Sequence, residues 1–217
     1  MIGAFYILAA TLTIFVVFMI FQAVGGRLFG ARVEELGIFQ GSAILKIDLR
    51  GGLVFKLNYF PSGSYVRFTQ DFSFLHPFRK ILIILAGIGS YLTLAIIGLG
   101  FEETFHQILT GFGQIISGVF SPLTVGTKLI EALAILFTQG PFVVGIGVLA
   151  AKILVFNLFP LGSLSGGSLV LYVLELIGFS SEKFNERFSL FGLLAVLLIG
   201  IPWMVAIFMF LSRSYGA

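Results

Sequence analysis

Four long apolar stretches dominate the pattern of hydrophobic and polar positions along this chain. Each contains roughly twenty residues, about the length that an α-helix needs to cross a hydrocarbon core of about 30 Å. The stretches are Ile2–Val24, Ile81–Leu99, Phe142–Phe159 and Phe188–Leu211. The pattern therefore predicts an α-helical polytopic membrane protein with a core of about four spanning helices. We expect the first stretch to be retained, since it lacks the basic start and the short apolar core of a cleaved signal peptide.

The segment after the first stretch follows a period of two, which is typical of a β-strand with one apolar face. Polar and apolar residues alternate in Lys46–Arg50 and again in Phe55–Tyr59, and Gly51 and Gly52 separate the two runs. A Gly-Gly pair suits a two-residue hairpin turn, because both central residues of such a turn can take a positive φ. We predict an amphipathic β-hairpin at the membrane surface, within residues 38–68.

An amphipathic segment, residues 101–138, lies between the second and third apolar stretches. Apolar residues recur at helical spacing in Phe101–Phe120, and acidic and amide side chains occupy much of the remaining surface. This spacing predicts an amphipathic helix, followed after Pro122 by a second helical stretch at Val125–Thr138. The first of these helices would lie flat in the membrane interface or pack across the bundle.

A break in the helical pattern follows the third apolar stretch. Pro160 and the small residues of Gly162–Gly167 favour irregular backbone. At membrane depth such backbone is stable only when protein buries it or when it lines a water-filled cavity, and we expect a cavity there. A short helix at Ser168–Ile177 and a polar connection at Ser180–Arg187 should then lead into the last span.

Composition agrees with a membrane protein. Hydrophobic residues make up 58% of the 217 residues and charged residues only 11%, too few to cover a soluble core of this size. Cysteine is absent, which excludes disulfides, thiolate metal sites and cysteine nucleophiles. The net charge of +3 reflects the arrangement of the loops, so we expect no nucleic-acid partner.

Basic residues are distributed unevenly between the loops. The loop after the second span carries Lys128 against three acidic residues, whereas the segment before that span is strongly basic. Its basic residues are Arg27, Arg32, Lys46, Arg50, Lys56, Arg67, Arg79 and Lys80. The positive-inside rule then places residues 26–80 in the cytoplasm and the N-terminus outside.

Four motifs follow one another along the chain. RLFGARVEEL begins at Arg27 after the first span, and FPSGSYVRF begins at Phe60 and closes the hairpin region. The Ala86-Gly87 pair lies in the second span, and NLFPLGSLSGG begins at Asn157 and covers the helix break. Together these motifs resemble the site-2 protease family of intramembrane zinc metalloproteases, in which the corresponding segments read approximately PxGGYVxF and NLLPxxxLDGG.

The resemblance implies a fold and a location. It implies one site-2-protease-like membrane domain, residues 1–217, with a core of about four spanning helices, an outer amphipathic helix and a cytoplasmic membrane-associated β-hairpin. Residues 101–138 are too few to hold the PDZ domain that many relatives insert there. We expect an integral protein of a prokaryotic inner membrane.

The zinc-binding residues of that family are missing from the corresponding positions. Counting back from RLFG places Phe18–Gln22 where the family has HExxH, and Ser165 stands where it has a zinc-binding Asp. A catalytic zinc needs about three protein ligands and a nearby carboxylate base. Neither zinc ligands of the usual kind nor a carboxylate base are present at Phe18, Met19, Gln22 and Ser165. The resemblance therefore implies a pseudoprotease without catalytic residues, metal or cofactor.

Two more positions of the family's cleft also differ. Ile88 stands where Pro is usual, and Tyr91 stands where Asn is usual. The two histidines of the chain, His76 and His106, lie outside the predicted depth of the site. We therefore expect the cleft to be filled or to serve another purpose.

Three polar residues remain near the former active site. Gln22 and Ser165 would either lock two helices together through a small polar contact or line a cavity for an ion, water or a lipid head group. Lys152 is a charge inside a predicted span, which makes it a hypothesis for a functional site. Its ammonium would either replace the metal beside Gln22 or Ser165, or snorkel towards the cytoplasmic head groups.

Lys152 and four further residues are candidates for binding a partner or substrate. Asn157 and Pro160 match the NLxP motif, whose Asn helps to hold the substrate backbone in active relatives; alternatively, Asn157 satisfies the carbonyls that Pro160 leaves free. Gly63 and Tyr65 belong to the segment whose edge is thought to pair with an unwound substrate. Alternatively, the hairpin only covers the site.

Binding without cleavage is the function that these features favour. We expect a scaffold, chaperone or accessory subunit that contacts the lipid bilayer and one or more membrane proteins in a complex. The main alternative is a small transport or lipid- or ion-binding protein that uses the helix break. A further alternative is a zinc protease whose missing ligands come from another chain.

Overall fold

The computed structural model of the protein describes residues 2–179 and 181–215. These residues form seven α-helices and a two-stranded sheet. The helices are α1 (Ile2–Leu28), α2 (Pro77–Leu99), α3 (Phe101–Phe120), α4 (Thr127–Gln139), α5 (Phe142–Leu158), α6 (Ser165–Leu176) and α7 (Glu182–Tyr215). The strands are β1 (Val33–Asp48) and β2 (Val54–Phe68).

Three of the helices, α1, α2 and α7, are long and apolar enough to cross a membrane. The predicted helical membrane protein is therefore confirmed. α5 forms where the third span is predicted, but it has only 17 residues and reaches about 25 Å at 1.5 Å per residue. A fourth spanning helix is thus not confirmed, because α5 stops before Pro160.

The N-terminal end of α7 replaces most of the predicted polar connection. Of the range Ser180–Arg187, Ser180 lies outside the described residues, and α7 already begins at Glu182. Phe184 and Phe188 lie one helical turn apart and stack with their ring centroids 5.8 Å from each other. This aromatic pair stabilises a helical turn that the polar composition of the segment does not suggest.

The predicted amphipathic segment forms two helices, as expected. α3 has the predicted bounds, and α4 follows it after a π-helical turn at Pro122–Gly126. Proline is tolerated there because it stands in the first position of that turn. Placement of this segment on the outer face stays a prediction.

A Schellman motif ends α1. Gly30 has a φ of 89°, and its N–H donates to the carbonyl of Arg27 at 3.3 Å. The N–H of Ala31 donates to the carbonyl of Gly26 at 2.7 Å. These two bonds satisfy carbonyls at the end of the helix and turn the chain sharply into β1.

Each strand of the sheet bends, so that its two parts form separate rows of paired backbone. Glu35–Ile38 pairs with Ser64–Arg67 on one side and with Val54–Leu57 on the other, and Ala43–Asp48 pairs with Val54–Asn58. The backbone therefore forms four rows, in the order 43–48, 54–58, 35–38 and 64–68. Within the described residues, the row 64–68, which we call the edge row, pairs on one side only.

The predicted hairpin turn forms at Gly51 and Gly52, but it contains three residues, Arg50–Gly52, and not two. Gly51 and Gly52 both have a φ of 79°, and the N–H of Leu49 donates to the carbonyl of Leu53 at 2.7 Å across them. The sheet nevertheless begins at Val33, five residues before the predicted start at residue 38. The added residues pair with rows that are distant in sequence, which the period-two pattern alone does not show.

The helix break is shorter than predicted. Irregular backbone covers only residues 159–164, because Ser165, Gly166 and Gly167 form the first turn of α6. A Cβ on Gly166 would lie 2.5 Å from the carbonyl oxygen of Phe159. The glycines therefore allow α6 to start close against the end of α5.

Two compact units contain the described residues, one within 1–12, 91–171 and 180–217, and the other within 13–90 and 172–179. In the first unit, the end of α2 packs on α5 so closely that a Cβ on Gly98 would lie 2.5 Å from the carbonyl oxygen of Val143. The second unit contains the sheet and the contacts of Phe18 and Gly25 in α1 with Gly87 and Ala86 in α2. The single domain of residues 1–217 stays a prediction.

Candidate functional site

The positions at which the sequence resemblance places HExxH lie in α1, and Phe18, Met19 and Gln22 are buried there. Phe18 is 5% exposed, Met19 3% and Gln22 7%. The ring of Phe18 covers Gly87 of α2, where an added Cβ would lie 2.7 Å from Cε2 of the ring. The apolar side chains therefore pack inside the protein, and Phe18 fills part of the α1–α2 contact.

Close packing between α1 and α2 continues about two helical turns further along α1. A Cβ on Gly25 would lie 2.6 Å from the Cβ of Ala86, so the Ala86-Gly87 pair provides two points of close helix approach. Ile88 and Tyr91, the two other positions that differ from the family, are buried as well. The departures at these cleft positions are therefore accommodated by packing.

Asn157 bonds within its own helix. Its Nδ2 donates to the carbonyl of Ile153 at 2.9 Å. Pro160 lacks the N–H that would reach the carbonyl of Phe156, and that carbonyl instead accepts from the N–H of Phe159 at 3.3 Å. The side chain of Asn157 therefore does not satisfy the carbonyl that Pro160 leaves free.

The helix break packs directly against α7. A Cβ on Gly162 would lie 2.6 Å from the carbonyl oxygen of Phe188, and a Cβ on Gly192 would overlap the backbone nitrogen of Gly162. The two glycines thus let the break and α7 touch backbone to backbone. Ser165, at the corresponding position of the zinc-binding Asp, follows this contact as the first residue of α6.

Lys152 extends from α5 towards α3. Its Nζ donates to the carbonyl oxygen of Gln107 at 2.9 Å, and its Cδ would lie 3.5 Å from a Cβ on Gly111. The hydrogen bond goes to neither Gln22 nor Ser165, the partners that sequence analysis suggested. In the described residues, Lys152 therefore connects two helices.

Tyr65 belongs to a polar cluster of the sheet. Its hydroxyl donates to Oε1 of Glu35 at 2.6 Å and accepts from Nδ2 of Asn58 at 3.2 Å. Oε2 of Glu35 lies 2.5 Å from Nζ of Lys56 and 3.6 Å from Nη1 of Arg67. The buried carboxylate therefore holds the edge row and the row 54–58 to the row between them.

Gly63 and Gly37 fix the position of Tyr65. Gly63 has a φ of 118°, a conformation that favours glycine, and it leads the chain into the edge row. A Cβ on Gly37 would overlap the ring of Tyr65, so the ring lies directly over the neighbouring row. Gly63 and Tyr65 are recognisable from the sequence as candidates, but the carboxylate of Glu35 that holds the tyrosine is not.

The surroundings of Glu35 favour its ionised form. Burial raises the pKa of this carboxyl, but hydrogen bonds with Lys56 and Tyr65 and the charge of Arg67 outweigh it, so the pKa lies below the ordinary value of 4.5. Burial and the bond to Glu35 raise the pKa of Tyr65 above its ordinary 10.0. The cluster is thus arranged around a carboxylate at neutral pH.

We predict that Glu35→Gln reduces the acid sensitivity of the fold. A depressed folded pKa stabilises the protein above the unfolded pKa, and this contribution disappears as the pH falls through the folded value. Wild type should therefore lose thermal stability below pH 4.5, and Glu35→Gln should lose less, starting from a lower stability at neutral pH. Glu34→Gln, at the exposed neighbouring residue, is the control. Equal acid sensitivity of wild type and Glu35→Gln in thermal unfolding would contradict this role.

A comparison with known families covers most of the chain. The sequence profile of Peptidase family M50 matches residues 23–199, which include the sheet, the helix break and much of α7. The chain belongs to peptidase family M50. This confirms the resemblance to site-2 proteases. The M50 match starts directly after Gln22, so the positions that correspond to HExxH precede it. A search of curated proteins finds no match to the chain.

Zinc, the metal that the M50 family implies, does not fit the residues at the corresponding positions. Phe18 and Met19 carry no imidazole or carboxylate, Gln22 offers an amide and Ser165 a hydroxyl, whereas protein zinc sites use thiolate, imidazole or carboxylate groups. Among residues 2–179 and 181–215, no three His, Asp or Glu side chains are grouped to hold a metal ion. We therefore derive no reaction step through zinc in this M50 chain.

One ion pair with a buried lysine is not suggested by the sequence pattern of this M50 chain. Lys80 is 5% exposed, and its Nζ lies 3.0 Å from Oε1 of Glu175 and 5.5 Å from the ring centroid of Tyr172. The edge of the Phe72 ring meets the same tyrosine, with centroids 6.2 Å apart. The pair joins the start of α2 to the end of α6, although sequence analysis used Lys80 only to assign topology.

Proposed function

We propose that this M50 chain is a pseudoprotease that binds a membrane-protein partner and serves as a scaffold, chaperone or accessory subunit of a membrane complex. The observation that supports it most is the state of the HExxH positions. Phe18 and Met19 occupy them with apolar side chains that are buried among the helices. A chain that keeps the M50 scaffold but replaces its zinc ligands retains surfaces for binding without the chemistry of cleavage.

The edge row of the sheet is the surface that we assign to the partner. Its outer side offers backbone donors and acceptors to an extended peptide, which could add to the sheet as a further strand. Tyr65 and Arg67 hold this row through Glu35, so the edge is preformed before a partner arrives. Preformed binding surfaces lose less conformational entropy on association.

Close packing at the helix break favours this proposal over transport. A transporter or an ion-binding protein would need a cavity at the break, whereas Gly162 and Gly192 bring backbone against backbone there. An ion-dependent shift in the thermal unfolding of the purified protein would favour the transport alternative. Proteolysis with ligands from another chain would require zinc to co-purify with the complex.

Purification from native membranes tests the proposal. The chain contains no cysteine, so Val66→Cys places a single photoreactive label in the edge row. Ile44→Cys, in the opposite outer row of the same sheet, is the matched control. We expect one membrane protein to co-purify at full length and to cross-link from position 66 more strongly than from position 44.

Each part of the proposal can fail separately in this experiment. Cleavage of the co-purified partner by the chain would contradict the pseudoprotease. Cross-linking that is equal at the two positions, or stronger at position 44, would contradict the edge row as the binding surface. Recovery of the chain alone after mild detergent extraction would contradict a role in a stable complex.

A further inference from the structure

Three arginines of the second unit surround one cavity. The cavity has a volume of about 440 Å³, and its lining includes Arg27, Arg32 and Arg50 together with apolar residues such as Val33 and Leu53. Arg27 lies in the last turn of α1, Arg32 in the link to β1, and Arg50 in the hairpin turn. The local fold thus brings together cations that are up to 23 positions apart in sequence.

Strand register explains why the hairpin turn reaches the end of α1. Glu35 pairs with Val54, so the residues just before Val54 lie beside those just before Glu35. This pairing places Arg50 and its turn next to Arg32 at the start of β1. The Schellman motif satisfies the carbonyls of Gly26 and Arg27 by backbone bonds, so the arginine side chains are not needed as caps.

These arginines have no acidic partner in the part of the chain that the structure describes. No carboxylate oxygen there lies within 4.0 Å of the guanidinium of Arg27, Arg32 or Arg50, and no acidic residue lines the cavity. A fourth guanidinium is close, since Nη1 of Arg79 would lie 3.5 Å from a Cβ on Gly30. Like charges that line one cavity repel one another, and a bound anion would reduce that repulsion.

The surroundings of the cavity indicate which kind of anion would bind there. α1 is long and apolar enough to span a membrane, so its last turn lies where the hydrocarbon core gives way to head groups. Leu28 next to the cavity is 75% exposed and Leu49 is 43% exposed, as expected for side chains that contact acyl chains. Guanidinium groups bind phosphate oxygens through paired, charge-assisted hydrogen bonds.

We propose that Arg27, Arg32 and Arg50 form a binding site for a phosphate group, supplied by the head group of an anionic phospholipid. The site fixes the end of α1 and the hairpin turn at the membrane surface. This inference does not depend on the proposed function, since a pseudoprotease, a transporter or an active protease could each carry such a site.

Lipid binding to the full chain tests the site. Native mass spectrometry of the protein released from mixed micelles would compare phosphatidylglycerol with phosphatidylcholine of the same acyl chains. Each lost Arg–phosphate pair weakens binding about tenfold, so Arg27→Gln/Arg32→Gln/Arg50→Gln should remove the preference for phosphatidylglycerol. A control variant removes the same number of charges at exposed positions outside the cavity, by Lys128→Gln, Lys183→Gln and Arg187→Gln. This control should keep the preference for phosphatidylglycerol.

Further arms identify the source of the phosphate and guard against misfolding. If the protein bound inorganic phosphate but did not prefer phosphatidylglycerol to phosphatidylcholine, the phosphate site would be supported. The free ion and not a lipid would then be its ligand. The single variant Arg50→Gln, in an exposed turn, should weaken lipid binding about tenfold while the thermal unfolding midpoint stays unchanged without lipid. Equal retention of phosphatidylglycerol by wild type and the triple arginine variant, or an equal loss in the control, would overturn the proposal.

Discussion

Gly192→Ala should destabilise the protein by about 3 kcal/mol, at the upper end of the usual cost of overpacking. The added methyl group would overlap the backbone nitrogen of Gly162, and it would also lie 2.8 Å from the Cα of the same residue. Since backbone and not a flexible side chain stands in the way, the break and α7 would have to separate. Chemical unfolding of the purified protein in detergent measures the loss.

Gly200→Ala is the matched control for this prediction, since Gly200 lies in the same helix and nothing lies within 4 Å of its added Cβ. Alanine has a higher helix propensity than glycine by about 1 kcal/mol, so this variant should be as stable as wild type or slightly more stable. If Gly192→Ala were as stable as Gly200→Ala, the direct contact between the break and α7 would be wrong.

Glu175→Leu should destabilise the second unit by about 3 kcal/mol, the lower end for a buried pair, because Glu175 is 33% exposed but the ammonium of Lys80 stays buried without its carboxylate. The side chain of Lys80 is only 7% exposed, and Nζ lies 3.0 Å and 3.2 Å from the two oxygens of Glu175. Adding Lys80→Met to this variant should restore most of the stability, because a well-packed apolar pair often replaces a buried ion pair without loss.

An exposed ion pair provides the comparison for Lys80 and Glu175. Arg213 and Glu131 lie 3.5 Å apart with side chains that are 55% and 39% exposed. Arg213→Ala should therefore change the free energy of unfolding by less than about 1 kcal/mol. If Glu175→Leu lowered the free energy of unfolding by no more than Arg213→Ala does, the contact between Lys80 and Glu175 would contribute little. The same would follow if the double variant were no more stable than Glu175→Leu.

Elements with a strong local signal could be predicted from the sequence. The helical membrane fold follows from the long apolar stretches, and the hairpin turn follows from Gly51 and Gly52, both of which take a positive φ. The bounds of α3 follow from its helical spacing. The sequence pattern does not predict the start of α6, because Gly166 and Gly167 look like loop residues, whereas the close approach to the end of α5 and to the break requires them.

Contacts that depend on register or on helix rotation could not be predicted. The bonds of Glu35 with Tyr65 and Lys56 exist only because the bent strands form four rows, which a period of two does not specify. Lys152 lies in a helix that is apolar on all sides, so its sequence gives no sign that the ammonium faces Gln107. Both cases require knowledge of what lies opposite a residue.

The proposed loss of the zinc ligands rests mainly on the sequence. Phe18, Met19 and Ser165 are identified by counting from neighbouring motifs, and the structure adds that the first two are buried. The arginine cavity shows the opposite case. Arg27, Arg32 and Arg50 are visible in the sequence as topology signals, but only the fold shows that they converge.

The zinc content of the protein purified from native membranes with its bound partner tests the central claim most directly. This preparation includes any ligand that another chain supplies, and elemental analysis gives the number of zinc atoms per chain. A pseudoprotease whose HExxH positions hold Phe18, Met19 and Gln22 should contain far less than about one zinc per chain. About one tightly bound zinc per chain, removed by a chelator, would contradict the account.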